Sequence, residues 1–298
     1  MTKTAAATEW LGQRVLPVLV VLAGVVVLWY LGAWGMNARM AIERVLEPAG
    51  NAWSWSDLAQ AAWALERPVL PAPHQVALDF WSGWVDWPLD SPRSLWFHVA
   101  VTGETTLVGF ALGTALGFVL AVLIVHSRTL EKALLPWIVA SQSIPVLAIA
   151  PIVLVILGSL GLEGLAPKAV IAMYLSFFPV TVAMVQGLRS PQVIETEMMH
   201  TYAASRWQAL WLLRLPAALP FLFPALRVGI AASLVGAMVA ELPTGAQAGL
   251  GARLLTGSYY GNTLGIWSAL VTSALLGLML SSSVALVERW ALRYRQAR

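Results

Sequence analysis

The stretch EMMHTYAASRWQALWLLRLP, Glu197–Pro216, is an amphipathic, charge-bearing interruption in a chain that otherwise consists of long apolar runs. Within it, Ser205 and Gln208 have the spacing of a capping box, in which each side chain bonds the backbone N–H of the other residue. The pattern predicts two short helices with a sharp bend at 203–205, the second of them, RWQALWLLRL, ending at Pro216. Such a pair is too short and too polar to span a bilayer and belongs at a membrane surface.

The composition around this stretch is that of a polytopic membrane protein. Of 298 residues, 59% are hydrophobic and only 11% are charged, whereas soluble domains contain about 25% charged residues. The formal net charge of +3 includes no basic block, so no nucleic-acid partner is expected. The absence of cysteine excludes disulfides and thiolate metal sites.

Six apolar segments are long enough to cross a bilayer, which requires about 20 residues in a helix. We predict an all-α membrane protein with these spans at about 15–36, 99–125, 134–159, 166–188, 220–242 and 263–287. The third contains Pro136, Pro145 and Pro151, and we predict that it is broken or kinked. Such breaks often line transport paths, although a simple packing kink gives the same pattern.

The distribution of Lys and Arg favours both termini in the cytoplasm, because cytoplasmic segments carry the excess of these residues. This orientation places the charged helices, at 189–219, in the cytoplasm. The chain then divides into an N-terminus with the first span at 1–36, an outer segment at 37–98, a core of five spans at 99–290 and a cytoplasmic tail at 291–298.

Two further patterns concern packing. The outer segment is rich in Trp, and SWSDLAQAAWALERP and PAPHQVALDFWSGW are predicted to be short amphipathic helices on the outer leaflet or over the bundle. A solute-binding aromatic box is the alternative. In the second span, Gly109, Gly113 and Gly117 share one face, which allows close approach of a helix from the same chain or from a second copy.

The charged stretch resembles the cytoplasmic signature of permease subunits of bacterial binding-protein-dependent ABC importers. That signature is E-A-A-x-x-x-G, nine residues, then I-x-L-P. Here Glu197 opens the pattern, Ala203 stands at the Gly position, and Leu213-Arg214-Leu215-Pro216 closes it. The flanks ASRWQ, LPAALP, LPAPHQV, SIPVLAIAPIVLVILG and VAELPTGAQAGLG resemble the nitrate/sulfonate/taurine class, so the similarity runs from about residue 69 to the C-terminus.

The resemblance implies a type I ABC importer permease-like fold, multi-pass in the bacterial inner membrane, whose signature forms coupling helices docked on separate ATPase subunits. It assigns to this coupling element Glu197, Tyr202, Ala203, Ala204, Ser205, Arg206, Trp207, Leu215 and Pro216. The implied partners are two ABC ATPases, a periplasmic or lipid-anchored solute-binding protein, a second copy of the chain and the bilayer. ATP and Mg would be held by the ATPase and no cofactor by this chain, which has no G-x-x-x-x-G-K motif.

The sequence departs from the signature in two positions. Met198 and Met199 replace the paired Ala, and Ala203 replaces the Gly. If this last position needs a left-handed backbone, Ala costs roughly 1 kcal/mol. Alternatively, Ser205 makes the bend as a cap. The outer segment at 37–68 is also longer than is usual for the class.

Polar residues within the spans are candidates for a solute path, because burying them in a bilayer is costly. The candidates are Ser141, Gln142, Ser143, Glu104, Arg227 and Glu241. Structural alternatives are that Glu241 caps or pairs and that Arg227 extends to the inner surface. His98 and His200 lack partners at ligand spacing, so no metal site is predicted.

The leading hypothesis is a non-catalytic permease that passes a small nitrogen- or sulfur-containing solute to the cytoplasm, for example a sulfonate such as taurine, nitrate or a pyrimidine-like compound. The alternative is an ion-gradient-driven secondary transporter or channel, which would usually show internal repeats or more buried ionisable residues. An intramembrane enzyme is disfavoured because no catalytic constellation is present.

Overall fold

The computed structural model describes residues 16–50, 52–243 and 248–296, with side chains up to residue 291. The predicted N-terminal cytoplasmic residues, residues 244–247 of the AELPTGAQAGLG flank and most of the tail at 291–298 lie outside the described side chains. In the described ranges all regular structure is helical, which confirms the all-α class. The helices are α1 Leu16–Ala49, α2 Trp55–Ala64, α3 Pro73–Val85, α4 Leu95–His126, α5 Arg128–Ser141, α6 Val146–Ser159, α7 Leu165–Leu188, α8 Val193–Thr201, α9 Arg206–Glu241, α10 Leu250–Tyr260 and α11 Thr263–Gln296.

Five of these helices, α1, α4, α7, α9 and α11, are long and apolar enough to cross a membrane. The pair α5 and α6 passes the same test as one span, bent by 105°, so the predicted break in the third span is confirmed. The break lies at Pro145, which precedes the first residue of α6 and has an extended backbone. A proline also disfavours a helical conformation at the residue before it, here Ile144, whereas Pro136 and Pro151 lie inside helices.

The chain forms two compact units, one comprising residues up to Trp87 together with Leu254–Leu270, the other Pro88–Arg253 together with the chain from Val271. In the second unit α4, α7 and α9 pack against one another. The glycine face of α4 is the contact with α7: a Cβ at Gly117 would lie 2.8 Å from the Phe177 carbonyl oxygen, and one at Gly113 would overlap Ser176. The helix that uses this face therefore belongs to the same chain.

The prediction that the second short helix ends at Pro216 is wrong. The helix that begins at Arg206 continues to Glu241 as one element of 36 residues. A π turn at Leu210–Arg214, in which the Leu215 N–H bonds the Leu210 carbonyl, resets the hydrogen-bond register. Pro216 then lies in the first turn of the following α-helical part, where its missing N–H costs little.

In the first unit, the predicted outer helices α2 and α3 are present, and α1 extends beyond residue 36 through a π turn at Ile42–Leu46. The buried Asn37 of α1 organises this unit. Its amide nitrogen donates to the Leu70 carbonyl at 2.8 Å, and its amide oxygen accepts from the Val69 N–H at 2.8 Å. The connection between α2 and α3 is thereby tied to α1.

The Trp residues of this outer segment divide into two groups. Trp63 is a packing residue, since its indole N–H donates to the Tyr30 carbonyl at 3.1 Å and its ring makes an edge contact with the Tyr30 ring. Trp55 and Trp81 are instead 74% and 66% exposed, as expected for side chains at a membrane–water boundary.

Candidate functional site

The connection between α8 and α9 is a sharp bend built from backbone hydrogen bonds. The Ala204 N–H bonds the Met199 carbonyl at 2.9 Å, and the Ala203 N–H bonds the His200 carbonyl at 2.9 Å. This pair of bonds is the Schellman arrangement, which requires a left-handed residue. Ala203 is that residue, with φ of 51°, so the position does need the conformation that glycine adopts without strain.

The predicted capping box starts the next helix one residue later. The Gln208 N–H donates to Ser205 Oγ at 3.2 Å, and the Ser205 N–H donates to Gln208 Oε1 at 2.7 Å. The left-handed residue and the serine cap, which the sequence presents as alternatives, are therefore both used. The first ends α8 and the second begins α9.

The bend presents aromatic surface to the outside and is fixed to the core from within. Tyr202 is 77% exposed and Trp207 is 63% exposed. The Trp207 ring stacks on His126, the last residue of α4, with a centroid distance of 5.8 Å. Leu210 is buried in the cluster that contains Leu188 and the middle of α7. The bend is thus packed against both α4 and α7.

The other residues assigned to the coupling element fall into two positions. Glu197, Ser205 and Arg206 are exposed, as Tyr202 is, whereas Ala204 is half-buried in the bend. Leu215 and Pro216 are half-buried in α9, beyond the π turn.

Of the six candidates for a solute path, Ser141, Gln142 and Ser143 lie next to one another at the break between α5 and α6. Ser141 donates from Oγ to the Ile138 carbonyl at 2.7 Å, and its own carbonyl accepts the Tyr174 hydroxyl. Gln142 and Ser143 are exposed. The break therefore presents two neutral polar side chains outside the packed face of the chain.

The three ionisable candidates are not brought together. Arg227 forms an ion pair with Glu288 of α11, so it has a partner within the chain. Glu104 is exposed on α4. Glu241 is fully buried and belongs to a different environment.

Glu241 occupies a socket of hydrogen-bond donors. Thr102 donates from Oγ1 to Glu241 Oε1 at 2.8 Å, and the Gly251 N–H donates to Oε2 at 2.7 Å. Thr102 Oγ1 also accepts the Leu250 N–H at 2.8 Å. Gly249, at φ of 119°, lies against the carboxyl group, where a Cβ would collide with it. The carboxylate thus fixes the start of α10 against α4 and α9.

Sequence reasoning missed the partners in these contacts. Thr102 and Gly251 complete the Glu241 socket, and Glu131 of α5 pairs with Arg189 at 2.9 Å after the end of α7. A polar residue in an apolar helix, as at Thr102, is the signal that could have indicated the first of them.

The part of the chain that contains the bend matches a known protein family. The family model for the inner membrane component of binding-protein-dependent transport systems matches residues 113–293. The chain belongs to this family. It is a permease of an ABC importer and a multi-pass protein of the inner membrane.

Curated relatives of this permease carry different transport names. The riboflavin transport system permease protein RibX of Chloroflexus aurantiacus is 36% identical over 76% of this chain and 80% of its own length. The formylaminopyrimidine transport permease protein ThiX of Halalkalibacterium halodurans is 30% identical over 76% of this chain and 86% of its own. A putative aliphatic sulfonates transport permease protein, SsuC of Escherichia coli, is 28% identical over 84% and 90%.

Proposed function

We propose that two copies of this permease, with two separate ATPase subunits docked at the bend between α8 and α9, import a small solute delivered by a binding protein. The observation that supports this most directly is the continuity of α9 from the exposed bend to the buried Glu241. A helix of 36 residues is about 54 Å long. A displacement imposed at Arg206 therefore reaches the opposite end of the spans as a rigid-body movement.

The π turn at Leu210–Arg214 supports this role. π turns are rare and occur frequently at functional sites. Here the turn lies between the exposed aromatic bend and the half-buried Pro216. It keeps the helix continuous at the position where the proline would otherwise end it, so the bend and the span move together.

The proposed orientation has both termini in the cytoplasm, which places the bend on the ATPase side. ATP and Mg then act in the partner, and this chain contributes the docking surface and the path. The test is to purify the tagged permease from cells that also express the ATPase of the same gene cluster. Co-elution of the ATPase, and solute uptake that stops when the ATPase is blocked by vanadate, are the expected results. Uptake that follows an ion gradient in the presence of vanadate would instead indicate a secondary transporter.

The solute class that we propose is a nitrogen-containing heterocycle, within the wider range of small nitrogen- or sulfur-containing molecules. The relatives named for riboflavin and formylaminopyrimidine transport are 36% and 30% identical to this chain, compared with 28% for the sulfonate relative from Escherichia coli. Uptake by proteoliposomes containing the permease, its ATPase and its binding protein should be measured with riboflavin, a formylaminopyrimidine, taurine and nitrate. Preferential uptake of taurine or nitrate would contradict the heterocycle assignment without affecting the coupling mechanism.

A further inference from the structure

A cavity of about 380 Å³ lies inside the second unit, between the end of α4, the start of α5 and the helices on either side of the bend. Its most distinctive feature is charge. Arg128, Arg206 and Arg214 line it, together with His126 and His200, and no carboxylate of the described residues is part of its wall.

The three arginines are uncompensated in the part of the chain that the structure describes. The ion pairs found there are Arg39–Glu43, Arg189–Glu131 and Arg227–Glu288, and none involves a cavity arginine. Guanidinium groups that converge without an acid repel one another, and an anion placed among them removes that repulsion while accepting several N–H bonds.

The cavity is also bounded by fixed groups. The His126 ring is held by its Nδ1–H, which donates to the Val122 carbonyl at 2.9 Å, and by its stacking on Trp207. Arg206 is the first residue of α9 after the Ser205 cap, so its backbone position is set by the capping box. The positive wall is therefore built on ordered elements.

We propose that this basic cavity binds a phosphate-bearing anion, from an anionic phospholipid headgroup or from free phosphate. Arginine is the residue best suited to phosphate, since its planar fork can donate two parallel hydrogen bonds. The bound anion would bridge the coupling bend, through Arg206, to the ends of the spans, through Arg128 and Arg214. It would thus stabilise the bend independently of the solute and of the ATPase.

The surroundings of the cavity suit a lipid headgroup. Trp211 and Leu212, on the exposed side of the same π turn, are 58% and 70% exposed. Exposed aromatic and apolar side chains next to a basic cluster are typical of the headgroup level of a bilayer. Basic pockets between spanning helices on the cytoplasmic side also bind anionic headgroups.

The test uses the purified full-length permease in detergent, titrated separately with dihexanoylphosphatidylglycerol, dihexanoylphosphatidylcholine and sodium phosphate. Thermal unfolding is followed by Trp fluorescence, and bound lipid is counted by native mass spectrometry. The cavity variant is Arg128→Gln/Arg214→Gln. The matched control, Lys132→Gln/Arg289→Gln, removes the same charge from exposed positions on the predicted cytoplasmic side that do not line the cavity. Arg128→Lys/Arg214→Lys keeps the charge but removes the planar guanidinium forks, and the unfolding transition of each variant without ligand shows that it is folded.

We expect phosphatidylglycerol to raise the unfolding temperature of the wild type and phosphatidylcholine to leave it unchanged. Each arginine near an anionic headgroup contributes about a fivefold factor, so the cavity variant should bind roughly thirtyfold more weakly. The control should bind as the wild type does, and added salt should weaken binding. If sodium phosphate binds with the same dependence on the variants and phosphatidylglycerol binds no better, the proposal stands with free phosphate as the source.

Two results would overturn the proposal. Equal loss of binding in the cavity variant and the control would show that overall charge attracts the anion and that no cavity site exists. Failure of the wild type to bind either anion would also overturn the proposal. Loss of ATPase co-elution in the cavity variant would then assign the arginines to protein docking. Because binding is measured on the permease alone, its failure leaves the proposed transport function intact.

Discussion

Replacing Ala203 by glycine should stabilise the bend between α8 and α9. Ala203 has φ of 51°, and no other non-glycine residue in the described ranges has a positive φ. An L-residue in this left-handed region costs about 1–2 kcal/mol. Glycine avoids that cost but loses about 0.4–1 kcal/mol more entropy on folding. The net gain is therefore about 0.5–1 kcal/mol, in favour of Ala203→Gly.

The gain is local and should be measured locally. The Ala203 and Ala204 amides are bonded to the His200 and Met199 carbonyls, so their hydrogen exchange reports opening of the bend. A stabilisation of about 0.5–1 kcal/mol slows exchange by roughly two- to fivefold. Ala203→Val should have the opposite effect, because a β-branched side chain tolerates a positive φ poorly.

The matched control is Ala204→Gly, one residue further along. Its backbone is not in the left-handed region, so glycine there gains nothing and loses entropy, and exchange should accelerate. If Ala203→Gly left exchange unchanged or accelerated it, or if both glycine variants behaved alike, the left-handed bend would be refuted.

Three other substitutions test the packing and the coupling. Gly113→Val should lower the unfolding temperature through overpacking worth about 1–3 kcal/mol, whereas Gly103→Val, where a Cβ meets nothing within 4 Å, should not. Glu241→Gln should lower the free energy of unfolding by about 1–3 kcal/mol, because the NH2 group of the glutamine would face either the Thr102 hydroxyl or the Gly251 N–H, both of which donate to the native carboxylate. Thermal unfolding measures this loss, and Glu104→Gln should be neutral. Arg206→Glu should leave the permease folded but reduce ATPase co-elution at least about tenfold.

Each of these has a contrary outcome. Equal unfolding temperatures for the two glycine variants would mean that α4 and α7 are not in close contact. An unchanged stability of the Glu241 variant would mean that the carboxylate is not held by its two donors. Wild-type docking and uptake in the Arg206 variant would move the coupling contact away from this bend, to the 126–132 connection or to the C-terminal tail.

The bend could be predicted from sequence because its determinants are local. Ser205 and Gln208 are three positions apart and bond each other's backbone. The broken span was predictable for the same reason, since Pro145 acts on the residue directly before it. Helix continuation through Pro216 was not predictable, because it depends on the π register set by Leu210 and Leu215 rather than on the proline itself.

Contacts distant in the chain were beyond the reach of sequence patterns. Thr102 and Glu241 are 139 positions apart, and Arg227 and Glu288 are 61 apart. Each residue alone is only a polar group in an apolar helix, and its partner depends on how the helices pack. The cavity arginines likewise lie on two helices, α5 and α9, and only the folded chain brings them to the wall of one cavity.

The side of the membrane on which the bend lies can be measured with one introduced cysteine. The sequence contains no cysteine, so any introduced cysteine is the single thiol of the permease. Tyr202→Cys places it at the bend, where the native side chain is 77% exposed, and Trp55→Cys provides an equally exposed control, at 74%, in the outer segment. A membrane-impermeant thiol reagent should reach the thiol of the Tyr202→Cys variant only from the cytoplasmic side, and a thiol cross-linker should join it to the ATPase. The control should react only from outside and should not cross-link. Labelling of the Tyr202→Cys variant from outside, or no ATPase cross-link in a complex that transports solute, would contradict the assignment of this bend as the coupling element.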